Sequence, residues 1–208
     1  MRTIAILALF LSSWVVASDF QGCPPEGDAT AHGRADPANN VLKNRDTELK
    51  EFEAVTIPAI VALATDGVSK RHRSEWPGSF MRIVVKNEAR AVAAEGYLLA
   101  IKQEGPESTN CHSQELRDFH MWLAPSPTSP KSASIVVEIT PRIREHHEGW
   151  KLNTLKHLAK DHARVRISGW LFLDPEHPDQ IGKSRATIWE VHPITRIEIW
   201  SGGKWMEL

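Results

Sequence analysis

Five strand-like runs between residues 91 and 199, with one helical run between the third and the fourth, constrain the fold more than any other feature. Alternating or continuous apolar residues predict strands over residues 91–105, 118–125, 134–141, 163–174 and 186–199. Residues 142–163 instead have a helical spacing, through Leu152, Leu155 and Leu158. The predicted order is therefore strand, strand, strand, helix, strand, strand.

This order resembles that of the OB-fold, a five-stranded Greek-key barrel, and the resemblance covers residues from about 82 to 200. Gly96 and Gly169 fall inside the first and fourth predicted strands, where a small barrel needs sharp coiling or a bulge to close. An open antiparallel sheet with an ordinary bulge is the alternative. The sequence predicts a mainly β protein with flanking helices: an N-terminal arm and helical extension at 18–81, then an OB-fold-like barrel domain at 82–208.

Three short phrases carry a second resemblance. EGPES at 104–108, DFHMWL at 118–123 and WEVHPIT at 189–195 look like recurring phrases of uncharacterised secreted bacterial proteins. The resemblance favours the barrel fold and export, and it implies no catalytic residues.

The first 17 residues have the pattern of a secretory signal peptide. Arg2 precedes an apolar run, and Ala17 and Ser18 offer a small-residue cleavage site. The run is too short for a comfortable membrane span, and no later stretch is apolar for long enough. We therefore expect an exported protein, periplasmic or extracellular, with no transmembrane segment in the mature chain.

Charge and motifs narrow the possible functions. The formal net charge is −1, and loss of Arg2 with the signal peptide changes it to −2, whereas a general nucleic-acid binder has a clearly basic surface. The sequence contains no GxSxG elbow, P-loop or dinucleotide-binding fingerprint. It therefore gives no support to a serine hydrolase, a nucleoside triphosphatase or a Rossmann enzyme.

The chain has two cysteines, Cys23 and Cys111. In an oxidising compartment a pair of cysteines predicts a disulfide, and two separate thiols are the alternative. Closing so long a loop stabilises by about 4 kcal/mol at most in the chain-entropy description.

The N-terminal part of the chain has weaker patterns. Residues 19–44 are dense in Pro, Gly, Asp and Asn and predict an irregular arm. Residues 47–65 have a partly helical spacing interrupted by Pro58. This spacing predicts either a helix pair or a helix followed by an extended segment.

Polar side chains on three of the predicted strands form the main candidate site. His120, Glu138, Glu190 and His192 all lie on the strand face opposite the apolar residues. If the strands pair in the usual order, these side chains can converge on a divalent transition metal or act as acids and bases. The alternative is that each is a buried polar residue satisfied by a neighbouring strand.

Two loops and one strand face supply candidate rim or ligand-binding residues. The loop after the first strand contains Glu104 and His112 and ends at Asp118. The loop at 173–185 contains Asp174 and His177, whose neighbourhood is rich enough in oxygen atoms to suit a hard cation, although turn chemistry explains both loops.

Arg164, Arg166 and Trp170 form the one basic and aromatic feature of the fourth strand. Two arginines beside a tryptophan are a small patch for an anionic ligand. Packing in the core or at the barrel rim is the alternative.

Two function classes remain. The first is an exported OB-fold-like binding or interaction domain, whose partner is a saccharide, an envelope component or a protein. The second is a metal-dependent hydrolase of the phosphodiesterase or nuclease type that uses the His/Glu cluster. Staphylococcal-type nucleases establish only that such a barrel can carry phosphodiester cleavage, because no catalytic motif of theirs is matched here.

Overall fold

The computed structural model of the protein describes residues 18–31, 33–68 and 72–208. The predicted signal peptide at 1–17 lies outside these ranges. The strands are β1 (Glu53–Val55), β2 (Ala91–Gln103), β3 (Phe119–Ala124), β4 (Ile135–Ile139), β5 (Arg164–Leu173), β6 (Trp189–Ser201) and β7 (Lys204–Glu207). The helices are α1 (Pro37–Lys43), α2 (Ile57–Val61), α3 (Gly78–Glu88), α4 (Pro141–Arg144) and α5 (Leu152–Lys160).

Five of the strands close into a barrel. β2 pairs with β3, β3 with β4, β4 with β6, β6 with β5, and β5 returns to β2. All these pairs are antiparallel except β4 and β6, which run parallel. This element order and closed pairing are consistent with an OB-fold-like barrel, so the fold prediction is confirmed.

The two strand glycines lie where neighbouring backbones approach each other closely. A Cβ atom at Gly169 would lie 2.3 Å from the Pro193 carbonyl oxygen, and one at Gly96 would lie 2.7 Å from the Ala124 carbonyl oxygen. The pairing of β5 with β6 also shifts register on both sides of Gly169. The backbones therefore approach too closely for any larger residue.

The barrel interior is filled by one face of every strand. Met121, Val137, Ile167 and Val191 are fully or almost fully buried members of this core. Because side chains alternate along a strand, their sequence neighbours lie on the outer face of the barrel. The polar residues of β3, β4 and β6 are therefore directed outwards.

The predicted helix at 142–163 is two helices, α4 and α5, separated by a turn. In the turn Gly149 packs against Leu208, and buried Trp150 donates its indole N–H to the Leu208 carbonyl oxygen at 3.2 Å. This contact with the end of the chain holds the turn in a non-helical path. The helical spacing of the sequence does not reveal this break between α4 and α5.

The N-terminal segment, defined here as residues 18–46 without residue 32, packs on the outer face of the barrel. The predicted disulfide is confirmed: Cys23 and Cys111 are bonded, with Cα atoms 5.8 Å apart. The prediction of an irregular arm is wrong in one part, because α1 forms within it with Asp36 as the N-cap. Arg45 extends from the end of α1 and donates to the carbonyl oxygens of Glu88 and Leu171.

Both alternatives predicted for residues 47–65 are wrong, because these residues form neither a helix pair nor a helix followed by an extended segment. The extended piece comes first, as β1, which pairs parallel to β2. The short helix α2 follows, with Thr56 as its N-cap and Pro58 within its first turn, where proline is tolerated. Among the described residues no helix is long and apolar enough to cross a membrane.

Candidate functional site

The four polar residues predicted to converge do lie together. His120 on β3 is directly opposite Glu138 on β4, and β4 lies beside β6, which carries Glu190 and His192. All four are buried, with exposed fractions of 5%, 7%, 1% and 0% respectively. We call this group, together with Asp118 and Glu104, the polar cluster.

The polar cluster is covered from outside the barrel. Lys43 and Asn44, at the end of α1, are both buried, and so is Arg185 from the loop before β6. Asn44 donates its amide N–H groups to the carbonyl oxygens of Pro25 and Thr109, each at 2.8 Å. The N-terminal segment, the loop that contains Thr109 and the loop that contains Arg185 therefore close over the face on which the polar cluster lies.

His120 lies between two carboxylates. Its Nδ1 atom is 2.8 Å from Glu138 Oε1 and 3.0 Å from Glu104 Oε1. Burial alone would lower the pKa of His120, but these carboxylates outweigh it and raise the pKa to about 9. His120 is therefore a cation at neutral pH that holds Glu138 Oε1 in place.

His192 is surrounded by three carboxylates but hydrogen-bonded to none of them. Its Nδ1 atom is 3.6 Å from both Glu138 Oε2 and Glu190 Oε2, and its Nε2 atom is 3.7 Å from Asp118 Oδ2. Both ring nitrogens and Asp118 Oδ2 are buried without a hydrogen-bond partner among the described residues. Unpaired buried polar atoms are costly, so this gap calls for a further partner.

Three of these residues fit a metal ion. One ligand atom from each of Asp118, Glu138 and His192 lies within 4.8 Å of the other two. Ligand atoms about 2.0–2.2 Å from one zinc ion lie at most about 4.4 Å from one another, so only small shifts are needed. One imidazole and two carboxylates suit zinc, manganese or iron better than a soft metal such as Cu(I).

Charge supports the same site. Burial raises the pKa of Asp118, and so does the Glu138 carboxylate, although His192 opposes them. Burial would raise the pKa of Glu138, but His120 and His192 outweigh burial and hold this pKa below its usual range. A divalent cation would stabilise both carboxylates in their ionised forms.

Glu190 links His192 to a second buried ion-pair chain. Arg185 Nη1 is 2.5 Å from Glu190 Oε1 and 3.1 Å from Asp174 Oδ2. His177 Nδ1 is in turn 2.6 Å from Asp174 Oδ2. With one oxygen held by Arg185 and the other facing the His192 ring, Glu190 is placed to orient that ring, a common role of carboxylates next to metal ligands.

Lys43 brings a positive charge to the cluster from α1. Burial opposes the charged form, but Glu107, Asp174 and Glu176 outweigh it and raise the pKa of Lys43. Burial raises the pKa of Glu107 to about 8. Lys43 acts in the opposite direction, but the nearby carboxylates, including Asp118, act in the same direction as burial. Glu107 is therefore largely protonated at neutral pH.

A groove of about 520 Å³ lies outside the polar cluster. Glu107, Glu176 and His177 are among its lining residues and also interact with Lys43 or Asp174. The groove is the concave surface next to the buried site.

The loop residues predicted as a rim fall into two groups. Glu104 and Asp118 are in the polar cluster, and Asp174 and His177 belong to the ion-pair chain that joins it. His112 is not in the cluster: it is exposed and lies 2.8 Å from Asp28.

The basic and aromatic feature of β5 has different partners from those predicted. Arg164 and Arg166 lie away from the cluster, and their aromatic neighbours are Trp200 and Trp205. Trp170 is instead stacked under Arg45, with 4.7 Å from the guanidinium carbon to the ring centre. A sheet brings side chains of neighbouring strands together, which sequence proximity does not reveal.

Lys43, Glu107 and Arg185 were not predicted as site residues. Lys43 is in a segment whose composition indicates irregular structure, and Glu107 and Arg185 are in loops rich in turn residues. The one signal available was the position of Arg185 five residues before Glu190, in a loop that borders the ligand face in OB-folds.

No protein-family model, curated protein or solved structure matches this chain.

Proposed function

We propose that this protein is an exported binding domain whose barrel holds one divalent transition metal between Asp118, Glu138 and His192. The observation that carries the proposal is the set of unpaired buried atoms at this point: both nitrogens of His192 and Asp118 Oδ2. They come from β6 and from the residue that precedes β3, and Glu138 of β4 lies between them. A metal supplies the partner for Asp118 Oδ2 and for one nitrogen of His192, because an imidazole binds a metal ion through a single nitrogen. The other ring nitrogen then faces a carboxylate, as metal-bound histidines usually do.

The surroundings support binding rather than turnover. Asp118 and His192 have no exposed surface, and Glu138 is only 7% exposed. Three protein ligands leave a fourth coordination position, which a catalytic metal keeps open to substrate. The cover formed by the N-terminal segment shields the three ligand residues from solvent, which favours binding over turnover.

Export fits two observations. The first 17 residues have a signal-peptide pattern. Cys23 and Cys111 form a disulfide, which persists in oxidising compartments.

The proposal is tested by calorimetric titration with Zn²⁺ and with Mn²⁺ of the mature chain, after a chelator has removed any bound metal. We expect one site per chain for at least one of the two ions, weakened by at least about 100-fold in Asp118→Asn, because loss of even an outer-shell partner costs about 10–100-fold. Asp28→Asn removes a charge from an exposed aspartate and is the matched control. Wild-type protein that binds neither ion, or equal binding by both variants, would overturn the proposal.

A metal-dependent phosphodiesterase is the second candidate, and one observation favours it. Glu107 holds a proton near neutral pH and lines the groove beside the proposed metal. A protonated carboxyl group close to a metal can act as a general acid. The assay is hydrolysis of bis(p-nitrophenyl) phosphate by the metal-loaded chain, in which this candidate requires turnover that Glu107→Gln abolishes. Absence of turnover in the metal-loaded wild type rejects it.

A further inference from the structure

A second groove, of about 660 Å³, lies on another part of the barrel surface. Its floor is the outer face of β2, β5 and β6, and its wall is β1 with the start of α2. The lining includes Phe52 and Val55 on the wall, Pro125 at one side, and none of the polar cluster. The groove is therefore separate from the proposed metal site.

The floor of this groove carries paired charges. Arg166 lies 2.9 Å from Glu95 and 3.3 Å from Glu198, and Arg196 lies 3.5 Å from Glu198. Two arginines and two glutamates line the groove, so their charges balance. Such a surface does not attract an ion strongly, but it offers planar donors and carboxylate acceptors side by side.

An aromatic pair adjoins the groove through Arg166. The Arg166 guanidinium carbon is 4.3 Å from the ring centre of Trp205, and the rings of Trp205 and Trp200 are 5.1 Å apart. Arg164 lies over both rings, which fixes their position. Trp200 is 38% exposed, so part of its ring is open to a ligand.

We infer that this groove binds a neutral oligosaccharide. Sugar rings have apolar C–H faces that pack on aromatic side chains, and hydroxyl groups that both donate and accept hydrogen bonds. The groove supplies both kinds of contact: Phe52 in its lining and the exposed Trp200 beside it for the C–H faces, and the Arg–Glu pairs for the hydroxyl groups.

The balance of charge decides against two other partners. A nucleic acid binds through its phosphates and needs an excess of Lys and Arg, which the groove floor lacks. An acidic polysaccharide needs the same excess. A neutral sugar carries no net charge, and its hydroxyl groups use the donors and the acceptors of the groove equally.

The test is calorimetric and fluorescence titration of the mature chain with cellohexaose, maltohexaose and hexa-N-acetylchitohexaose. We expect saturable binding of at least one of them, with tryptophan emission changed and an affinity that hardly changes between low and high salt. Arg196→Gln should weaken this binding by at least about tenfold, as removal of one hydrogen-bonded contact does. Arg34→Gln is the matched control, because Arg34 is exposed and lines the other groove.

Trp205→Leu is a second variant, read together with its circular-dichroism spectrum and melting temperature. Loss of binding with folding preserved supports the inference. Failure of all three sugars to bind, equal binding by Arg196→Gln and Arg34→Gln, or tighter binding of heparin with a steep salt dependence would overturn it. Because no metal ligand is altered, these results are independent of those for the metal site.

Discussion

Loss of either partner of the Arg73–Glu88 ion pair should be among the most destabilising single changes where the N-terminal half packs on the barrel. Glu88, at the end of α3, accepts from Arg73 Nη1 and Nη2 at 2.6 Å each and from the backbone N–H of Leu173 on β5 at 3.0 Å. Arg73 and Glu88 are 7% and 4% exposed. Removal of one partner leaves the other charge buried, which costs about 3–5 kcal/mol.

We therefore expect Glu88→Gln and Arg73→Met each to lower the free energy of unfolding by about 3–5 kcal/mol. For a chain of this size each kcal/mol shifts the melting temperature by about 2–4 °C, so the change is large in a thermal melt. The double variant should cost much less than the sum of the two, since neither charge is then left alone.

The assay is urea unfolding of the mature chain, the two single variants and the double variant, followed by circular dichroism and tryptophan fluorescence. Half-buried Arg90 and exposed Glu53, paired at 2.8 Å, provide the matched control, because ion pairs that remain in contact with water contribute about 0–1 kcal/mol. Single-variant losses below about 1 kcal/mol, or additive losses in the double variant, would refute the argument from burial.

Three further predictions concern the barrel, the disulfide and the ion-pair chain. Gly169→Ala should destabilise the protein by about 1–3 kcal/mol or more, because the added Cβ would clash with the backbone of Pro193. Gly105→Ala is the control and should be tolerated, because there is open space around Gly105. Urea unfolding measures both variants. Cys111→Ser should lower the free energy of unfolding by up to about 4 kcal/mol, and an unchanged urea midpoint would contradict this. The pKa of His177 is raised by its hydrogen bond to Asp174, so its NMR titration should lie above the ordinary value and move down in Asp174→Asn. The stability from this pair should be complete below the ordinary histidine pKa and should decline as pH rises through the raised one.

The barrel was predictable because its signals are local. Period-two apolar patterns such as that of residues 118–125 identify each strand, and Gly96 and Gly169 indicate where the sheet must bend. The element order then leaves few topologies. The break between α4 and α5 was not predictable, because it depends on contacts of Gly149 and Trp150 with Leu208.

The polar cluster was predictable only in part. Strand parity places His120, Glu138, Glu190 and His192 on the outer face, and strand order brings them close. Parity does not reveal what covers that face, and the cover decides whether a polar residue is solvated or buried. Lys43 illustrates this, since its segment reads as loop and yet it ends a helix docked over the cluster.

The sequence also does not reveal that the two histidines of the polar cluster have different hydrogen-bond partners. His120 and His192 look equivalent as strand histidines, but His120 is bonded to two carboxylates whereas both nitrogens of His192 lack a hydrogen-bond partner in the described ranges. The nitrogen–oxygen distances are 2.8 and 3.0 Å at His120 but 3.6 and 3.7 Å at His192, and only the shorter ones are hydrogen bonds. Only the three-dimensional structure reveals this difference between the two histidines.

The most direct test of the proposed metal site is the metal content of the purified wild-type protein, measured by elemental mass spectrometry before and after chelation. The account predicts close to one transition-metal ion per chain, removed by the chelator and restored by incubation with the same metal. A chain that carries no metal as purified, and takes up none from Zn²⁺ or Mn²⁺ afterwards, would contradict it. Asp118, Glu138 and His192 would then be a buried polar group of the fold and nothing more.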